Sequence, residues 1–127
     1  MIIEVKNEGF YHPKFNGNRD LPEAEQIKII HRFLLPGERK TYLHTEPIKM
    51  DIGTGKVNTN VNYIQDEQGI TKAILTGIEN LKISVDGKEK VIKTALDLYN
   101  NPVPNSLVTE IEIYLLNVSP EVDKDFL

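Results

Sequence analysis

Asp66-Glu67-Gln68-Gly69-Ile70-Thr71-Lys72-Ala73-Ile74-Leu75-Thr76-Gly77-Ile78-Glu79-Asn80-Leu81 is the stretch whose reading decides the fold. Ile70, Ala73, Ile74, Gly77, Ile78 and Leu81 recur at i, i+3, i+4, i+7, i+8 and i+11, the apolar stripe of a helix lying on a sheet. Asp66 suits the N-cap, where a short carboxylate accepts one of the orphan N–H groups of the first turn. The spacing therefore predicts a helix that begins near Glu67 and is ended by Asn80, which tolerates the left-handed conformation used after a last turn. Gly77 lies on the stripe and lowers helix propensity by roughly 1 kcal/mol. Its presence there predicts close packing against the sheet.

Downstream the punctuation is dense. Leu81-Lys82-Ile83-Ser84-Val85 and Lys90-Val91-Ile92-Lys93 flank Asp86-Gly87, a dipeptide that supplies positive φ in a tight hairpin. Thr94-Ala95-Leu96-Asp97 has the spacing of a capping box with Asp at its last position, so a short helix starts at Ala95. It stops by Pro102, because the residue before a proline avoids the helical region. Leu107, Ile111, Tyr114, Leu115 and Val118 match a helical stripe with Asn105 or Ser106 as cap, although Glu110 to Leu115 also alternates as a strand would. Helix is preferred, because a second helix on the same sheet face completes a layered core.

Upstream, Ile2, Ile3 and Val5 read as a short strand over residues 2–5. Residues 7–22 are dense in Gly, Pro and Asn and read as a long loop carrying Phe10, Tyr11 and Phe15. Those rings either pin the loop to the core or form an arm that docks on a partner. Between Glu25 and Leu35, Ile27, Ile29, His31, Phe33 and Leu35 alternate with Ile30 and Leu34, as in a central strand covered on both faces. Pro36-Gly37 stops it, and Glu38 to His44 forms a helical turn or a turn into another strand. Ile48 to Ile52 reads as a strand broken by Gly53-Thr54-Gly55. Lys56 to Asn62 is an exposed strand or a loop.

The plan is an α+β fold, mainly an antiparallel sheet with two or three helices packed on one face. It is one domain over 1–119, with long loops at 7–22 and 53–63 and a C-terminal tail at 120–127. At 127 residues, one core burying roughly two thirds of the unfolded surface is the natural outcome. The hydrophobic share of 39% and charged share of 27% are those of a globular chain, not a disordered one. The net charge is −4, and the 15 Lys and Arg are scattered among 19 acids, which argues against nucleic acid as a direct ligand. Without cysteine the chain has no disulfide, thiol nucleophile or thiolate metal site. The N-terminus lacks a signal-peptide pattern, and no run approaches the ~20 apolar residues of a membrane span, so an intracellular, non-membrane protein is expected.

Motifs for chemistry are weak. Gly53-Thr54-Gly55-Lys56-Val57 lacks the second Gly-Lys spacing and the hydroxyl residue of a phosphate-binding loop, and reads as a turn. His12, His31 and His44 have no metal-site spacing, which leaves only a metal site assembled from distant segments, and His31, on the apolar face of its strand, reads as a satisfied core or interface residue. Asp20, Glu23 and Glu25 form an acidic cluster whose ordinary state is a solvated surface. No Gly-x-Ser-x-Gly elbow is present. Asn117-Val118-Ser119 matches a glycosylation acceptor without a secretory signal.

Two groups of segments together resemble a known class. The first is Arg19-Asp20-Leu21-Pro22-Glu23-Ala24-Glu25-Gln26-Ile27 leading into a strand, with Glu38-Arg39-Lys40-Thr41-Tyr42 after it. The second is Ile78-Glu79-Asn80-Leu81 with the Asp86-Gly87 hairpin, Thr94-Ala95-Leu96-Asp97-Leu98 and Leu107-Val108-Thr109-Glu110-Ile111. This order, over about two thirds of the chain, resembles small tailed-bacteriophage morphogenesis proteins that serve as tail or head-tail components or assembly factors. The resemblance implies a non-enzymatic role without cofactor, in the host cytoplasm during assembly or in the virion, with other phage structural proteins and further copies of the chain as partners. It transfers no functional residues. The expected partner contacts are the apolar groups without a periodic place in the core: Phe10, Tyr11, Phe15, Val57, Val61, Tyr63, Phe126 and Leu127. The competing expectation is a small enzyme or ligand-binding domain with a site built from His12, His31 or His44 and the 20–25 acids.

A Val at position 87 would meet backbone strain in the tight turn. Gly87→Val is expected to destabilise the protein by about 1 to 3 kcal/mol in a thermal melt.

Overall fold

The computed structural model describes residues 1–52 and 56–120, and the side chains of 1–46 and 63–120. The strands are β1 (Gly9–Tyr11), β2 (Lys28–His31), β3 (Leu43–Ile52), β4 (Lys56–Gln65), β5 (Leu75–Glu79), β6 (Lys82–Val85) and β7 (Lys88–Val91). The helices are α1 (Pro36–Tyr42), α2 (Glu67–Ile74), α3 (Ala95–Asn100) and α4 (Asn105–Asn117), with 3-10 turns at Phe15–Asp20 and Glu23–Glu25. This is an α+β fold. Its strands are distributed among three small antiparallel sheets, ordered β1-β2-β5, β3-β4 and β6-β7, instead of one larger sheet.

The helix expected over 67–80 ends early. Asp66 caps it as predicted, its carboxylate accepting the Gly69 N–H at 2.9 Å. After Ile74, however, the chain turns directly into β5, which pairs with β2 at Lys28–Glu79, Ile29–Ile78 and Ile30–Gly77. Pairing with a buried central strand outweighs the helical periodicity of 75–81, an instance of tertiary context overriding local preference. Ile70, Ile74, Ile78 and Leu81 are buried all the same, because one apolar surface receives both elements. Asn80 does take positive φ, at 61°, but it ends a strand. A Cβ on Gly77 would meet only Ile30 Cδ1 at 3.9 Å, so no close packing requires the glycine.

Residues 2–5 form no strand apart from a single bridge at Val5, and Ile2 and Ile3 are exposed at 75% and 63%. The strand lies later, at Gly9–Tyr11, inside the segment read as a loop, and it pairs with β2 through Gly9–His31, Phe10–Ile30 and Tyr11–Ile29. β2 is the central strand of its sheet, as expected, though shorter than the alternating run. Gly9 is required there: a Cβ would lie 2.7 Å from the His31 ring. The rest of the 7–22 segment is tied down by buried Asn18, whose amide donates to the Pro13 and Ile27 carbonyls and accepts the Ile27 N–H.

Pro36 both ends the preceding extended run and opens α1 at its first position, where a missing N–H is harmless. Glu38 accepts the Leu35 N–H and forms a two-bond ion pair with Arg32 at 2.7 and 2.8 Å. Lys56–Gln65 is strand throughout, so residues 56–63 are not loop; Gly53-Thr54-Gly55 and the tail at 121–127 lie outside the described residues. The hairpin at Asp86-Gly87 has φ of 51° and 80° at its two central residues, the paired positive values of a tight right-twisting turn. Thr94 and Asp97 close the reciprocal capping box of α3. The 107–118 element is helix, and Pro104, not Asn105 or Ser106, occupies the cap position.

The core lies where α2, α3 and α4 cover β2 and β5. Ile29, Ile70, Ile74, Ile92, Leu98, Leu107, Ile111 and Leu115 are all at most 1% exposed. Ile74→Ala empties a site with no route for solvent to relax it and should cost about 2 to 5 kcal/mol, read from urea denaturation.

Candidate functional site

α4 turns its Leu107-Ile111-Leu115 face inward, which leaves Ser106, Glu110, Ile113 and Asn117 toward the other side. The inward face anchors the helix. Tyr114, between the two, reaches back to the sheet, where its hydroxyl lies 2.9 Å from His31 Nε2. His31 Nδ1 is 2.8 Å from the Arg32 carbonyl. A carbonyl only accepts, so Nδ1 carries the proton and Nε2 accepts from Tyr114. The His31 ring meets Phe33 and Tyr114 edge-on, at 5.2 and 5.3 Å.

Tyr11 stacks on the far side of Tyr114 at 4.0 Å with the rings 8° from parallel, and the Arg19 guanidinium lies 5.4 Å from the Tyr11 ring centre. The Tyr11 hydroxyl donates to Glu110 Oε2 at 2.7 Å, and the same oxygen accepts the Lys14 N–H at 2.6 Å. Burial, and then the Glu110 carboxylate, raise the Tyr11 pKa, which keeps the phenol a donor. One carboxylate on α4 thus holds the end of β1 and the loop that follows it, and the Tyr11–Tyr114 stack joins that strand to the helix.

Beside this stack, an open groove of about 980 Å³ runs along α4 from Asn105 and Ser106 to Val118 and Ser119. Tyr11, Glu110, Ile113 and Tyr114 line its middle, and Ile113 is 57% exposed. A smaller cavity of about 430 Å³ is lined by His12, Glu23, Lys28, Glu79 and Asn80 among others. His12 Nδ1 is buried without a hydrogen-bond partner among the described residues.

The structure therefore disperses the residues singled out from sequence. Of the acidic cluster, Glu23 joins His12 at a cavity, while Asp20 and Glu25 are exposed elsewhere. His31 is the buried core histidine expected. His44 pairs with Glu46 at 3.1 Å. Among the proposed contact residues, Tyr11 and Phe15 pack against the core, which is the pinning alternative. Phe10 stays 61% exposed beneath the Lys28 ammonium, 4.5 Å from its ring centre, and Tyr63 is 81% exposed. The side chains of Val57 and Val61, and all of Phe126 and Leu127, fall outside what is described. Sequence reasoning missed Glu110, Ile113 and Tyr114 as groove residues. Ile113 carried a legible signal: it is apolar, yet off the stripe that buries the helix.

Among the described residues no group of three or more His, Asp or Glu is arranged to hold a metal ion, and no helix is long and apolar enough to cross a membrane. Comparison of the chain with protein-family models, curated proteins and solved structures finds no match.

Burial lowers the His31 pKa from 6.5, against the opposing pull of the Arg32 carbonyl and the Glu8 charge. The unfolded chain then binds this proton more readily than the native one, so stability is full above pH 6.5 and declines as pH falls below it, with a slope of up to ~1.4 kcal/mol per unit. His31→Gln keeps an acceptor for Tyr114 and removes the titration. Urea melts across pH should show a shallower decline for the variant than for the parent.

Proposed function

We propose that the chain is a non-enzymatic structural or assembly protein of a tailed-phage particle, acting through contacts with other protein chains, further copies of itself included. The observation that carries this reading is the β3-β4 ribbon. Its ten register pairs run from Leu43–Gln65 to Ile52–Lys56, a length of roughly 30 Å. Its chief packing partner in the body is α1, at the base. A two-stranded ribbon is marginally stable alone in water, and each strand keeps one edge without a ladder partner among the described residues. Such an element gains stability by adding a strand or a surface from another chain. Exposed Tyr63 near its base, and exposed Phe10, Ile2 and Ile3 on the body, supply apolar area for the same purpose.

The His12 cavity supports the ligand-binding alternative less well. Its one unsatisfied atom is a single ring nitrogen, a demand that one ordered water meets. The ribbon has no comparably local remedy.

The phage class is tested by the genes flanking this one, which should encode terminase, portal or tail proteins; a metabolic neighbourhood overturns it. The role of the ribbon is tested by replacing residues 46–62 with Asn-Gly, between the register partners Thr45 and Tyr63. By light scattering the full chain should associate as concentration rises, whereas the shortened chain stays monomeric and melts within ~4 °C of it. Equal masses for the two proteins would remove the ribbon from the proposal.

A further inference from the structure

We propose that the outer edge of β4 is the seat of the same edge of a second copy, the two strands pairing antiparallel about a two-fold axis at Val61 so that two ribbons become one four-stranded sheet. This rests on the reading of the ribbon above and deepens it by naming the edge, the occupant and the register.

The phase of the ladder decides which edge is open. In an antiparallel pair, residues that exchange hydrogen bonds alternate with residues whose N–H and C=O groups point away from the partner strand. The Asp66 N–H donates to the Tyr42 carbonyl at 2.9 Å, one step before the Leu43–Gln65 pair. Leu43 and Gln65 therefore turn their backbone groups outward, and because the register continues to Ile52–Lys56 without a shift, every second pair after them does the same. On β3 the outward residues are Leu43, Thr45, Pro47, Lys49 and Asp51; on β4 they are Val57, Thr59, Val61, Tyr63 and Gln65.

Pro47 has no N–H, and it stands at the middle of the β3 edge. An incoming strand meets a missing donor there, a device by which natural sheets close an edge to pairing. The base of β3 is also occupied: Leu43 packs against the core, and α1 meets this strand. β4 contains no proline, so its outward donors and acceptors are complete, and Tyr63 and Gln65 are exposed at its base.

A second copy fits this edge because the outward residues are spaced evenly about Val61. Turned about an axis there, Val57 faces Gln65 of the second copy, Thr59 faces Tyr63 and Val61 faces Val61, which gives about ten inter-chain hydrogen bonds. Every outward donor and acceptor of β4 then has a partner, and the two bodies stand at opposite ends of the sheet. With one open edge per chain, the assembly closes at two copies instead of growing into a fibre.

Val61→Pro removes one outward N–H without touching a bond to β3. By light scattering it should stay monomeric over the roughly hundredfold concentration range in which the parent doubles its mass. Lys49→Pro, on the edge already closed, carries the same proline strain and should associate as the parent does. The chain has no cysteine, so single cysteines report the register: with oxidised glutathione Val61→Cys, about 5.5 Å from its own copy between Cα atoms, should give a disulfide-linked dimer on a non-reducing gel, and Lys49→Cys should not. Association that survives Val61→Pro but is lost on replacing residues 46–62 overturns the β4 edge alone. A parent that is monomeric throughout overturns it together with the role of the ribbon. Cross-linking of Lys49→Cys as complete as that of Val61→Cys also overturns it.

Discussion

The carbonyl of Ile74, the last residue of α2, accepts the Arg32 N–H at 2.9 Å, and Leu75 begins β5 at once. Helix and strand are therefore joined without a linker, and the join is bonded to the end of the central strand. That constraint fixes the height and direction of α2 over the sheet. α4 can then bury Leu107, Ile111 and Leu115 against α2 and the sheet, and α3 closes the end of the core through Leu98. The other end of α2 is held in the same way, the Asp66 N–H donating to the Tyr42 carbonyl at 2.9 Å, so the helix is bonded to the body at both ends.

That join was also where the sequence was least legible. The apolar residues of 70–81 fit a helix at every step, and a strand of five residues with a bulge in its partner leaves no clean alternation to compete. By contrast the Asp86-Gly87 turn, the Thr94 box and the Asp66 cap were readable because each is decided by its own backbone, with no distant partner. The final helix was ambiguous until its neighbours were known: Glu110 to Leu115 alternates, and only packing on α2 selects the helical face. Of the candidate site, the core role of His31 was visible in its position on an apolar strand face. Its union with Tyr114 was not, because the two are 83 residues apart.

The ring stack explains why a segment so rich in glycine, proline and asparagine is ordered. Phe33, His31, Tyr114, Tyr11 and Arg19 form a continuous series from the core to the surface. Each aromatic contact is worth on the order of 1 kcal/mol beyond its burial. The Glu110 carboxylate adds two charge-assisted bonds at the outer end. The loop thus borrows its order from α4, and the same side chains that hold it become the wall of the groove.

The buried core and the exposed apolar side chains consequently lie in different parts of this chain. Apart from Pro13, every buried apolar residue described lies between Ile29 and Leu115, and none belongs to the first eight residues or to the ribbon's described side chains. Substitution at Ile2, Ile3, Phe10 or Tyr63 changes surface that the core does not use, where effects on folding are usually within about half a kcal/mol. Under the proposed role in assembly, that separation would let exposed apolar surface change without unfolding the body that carries it. The α4 groove sits at the boundary between the two. Its floor belongs to the core-facing helix, so alteration of Tyr114 would disturb the fold and the surface together, whereas Ile113, one position earlier, belongs to the surface alone.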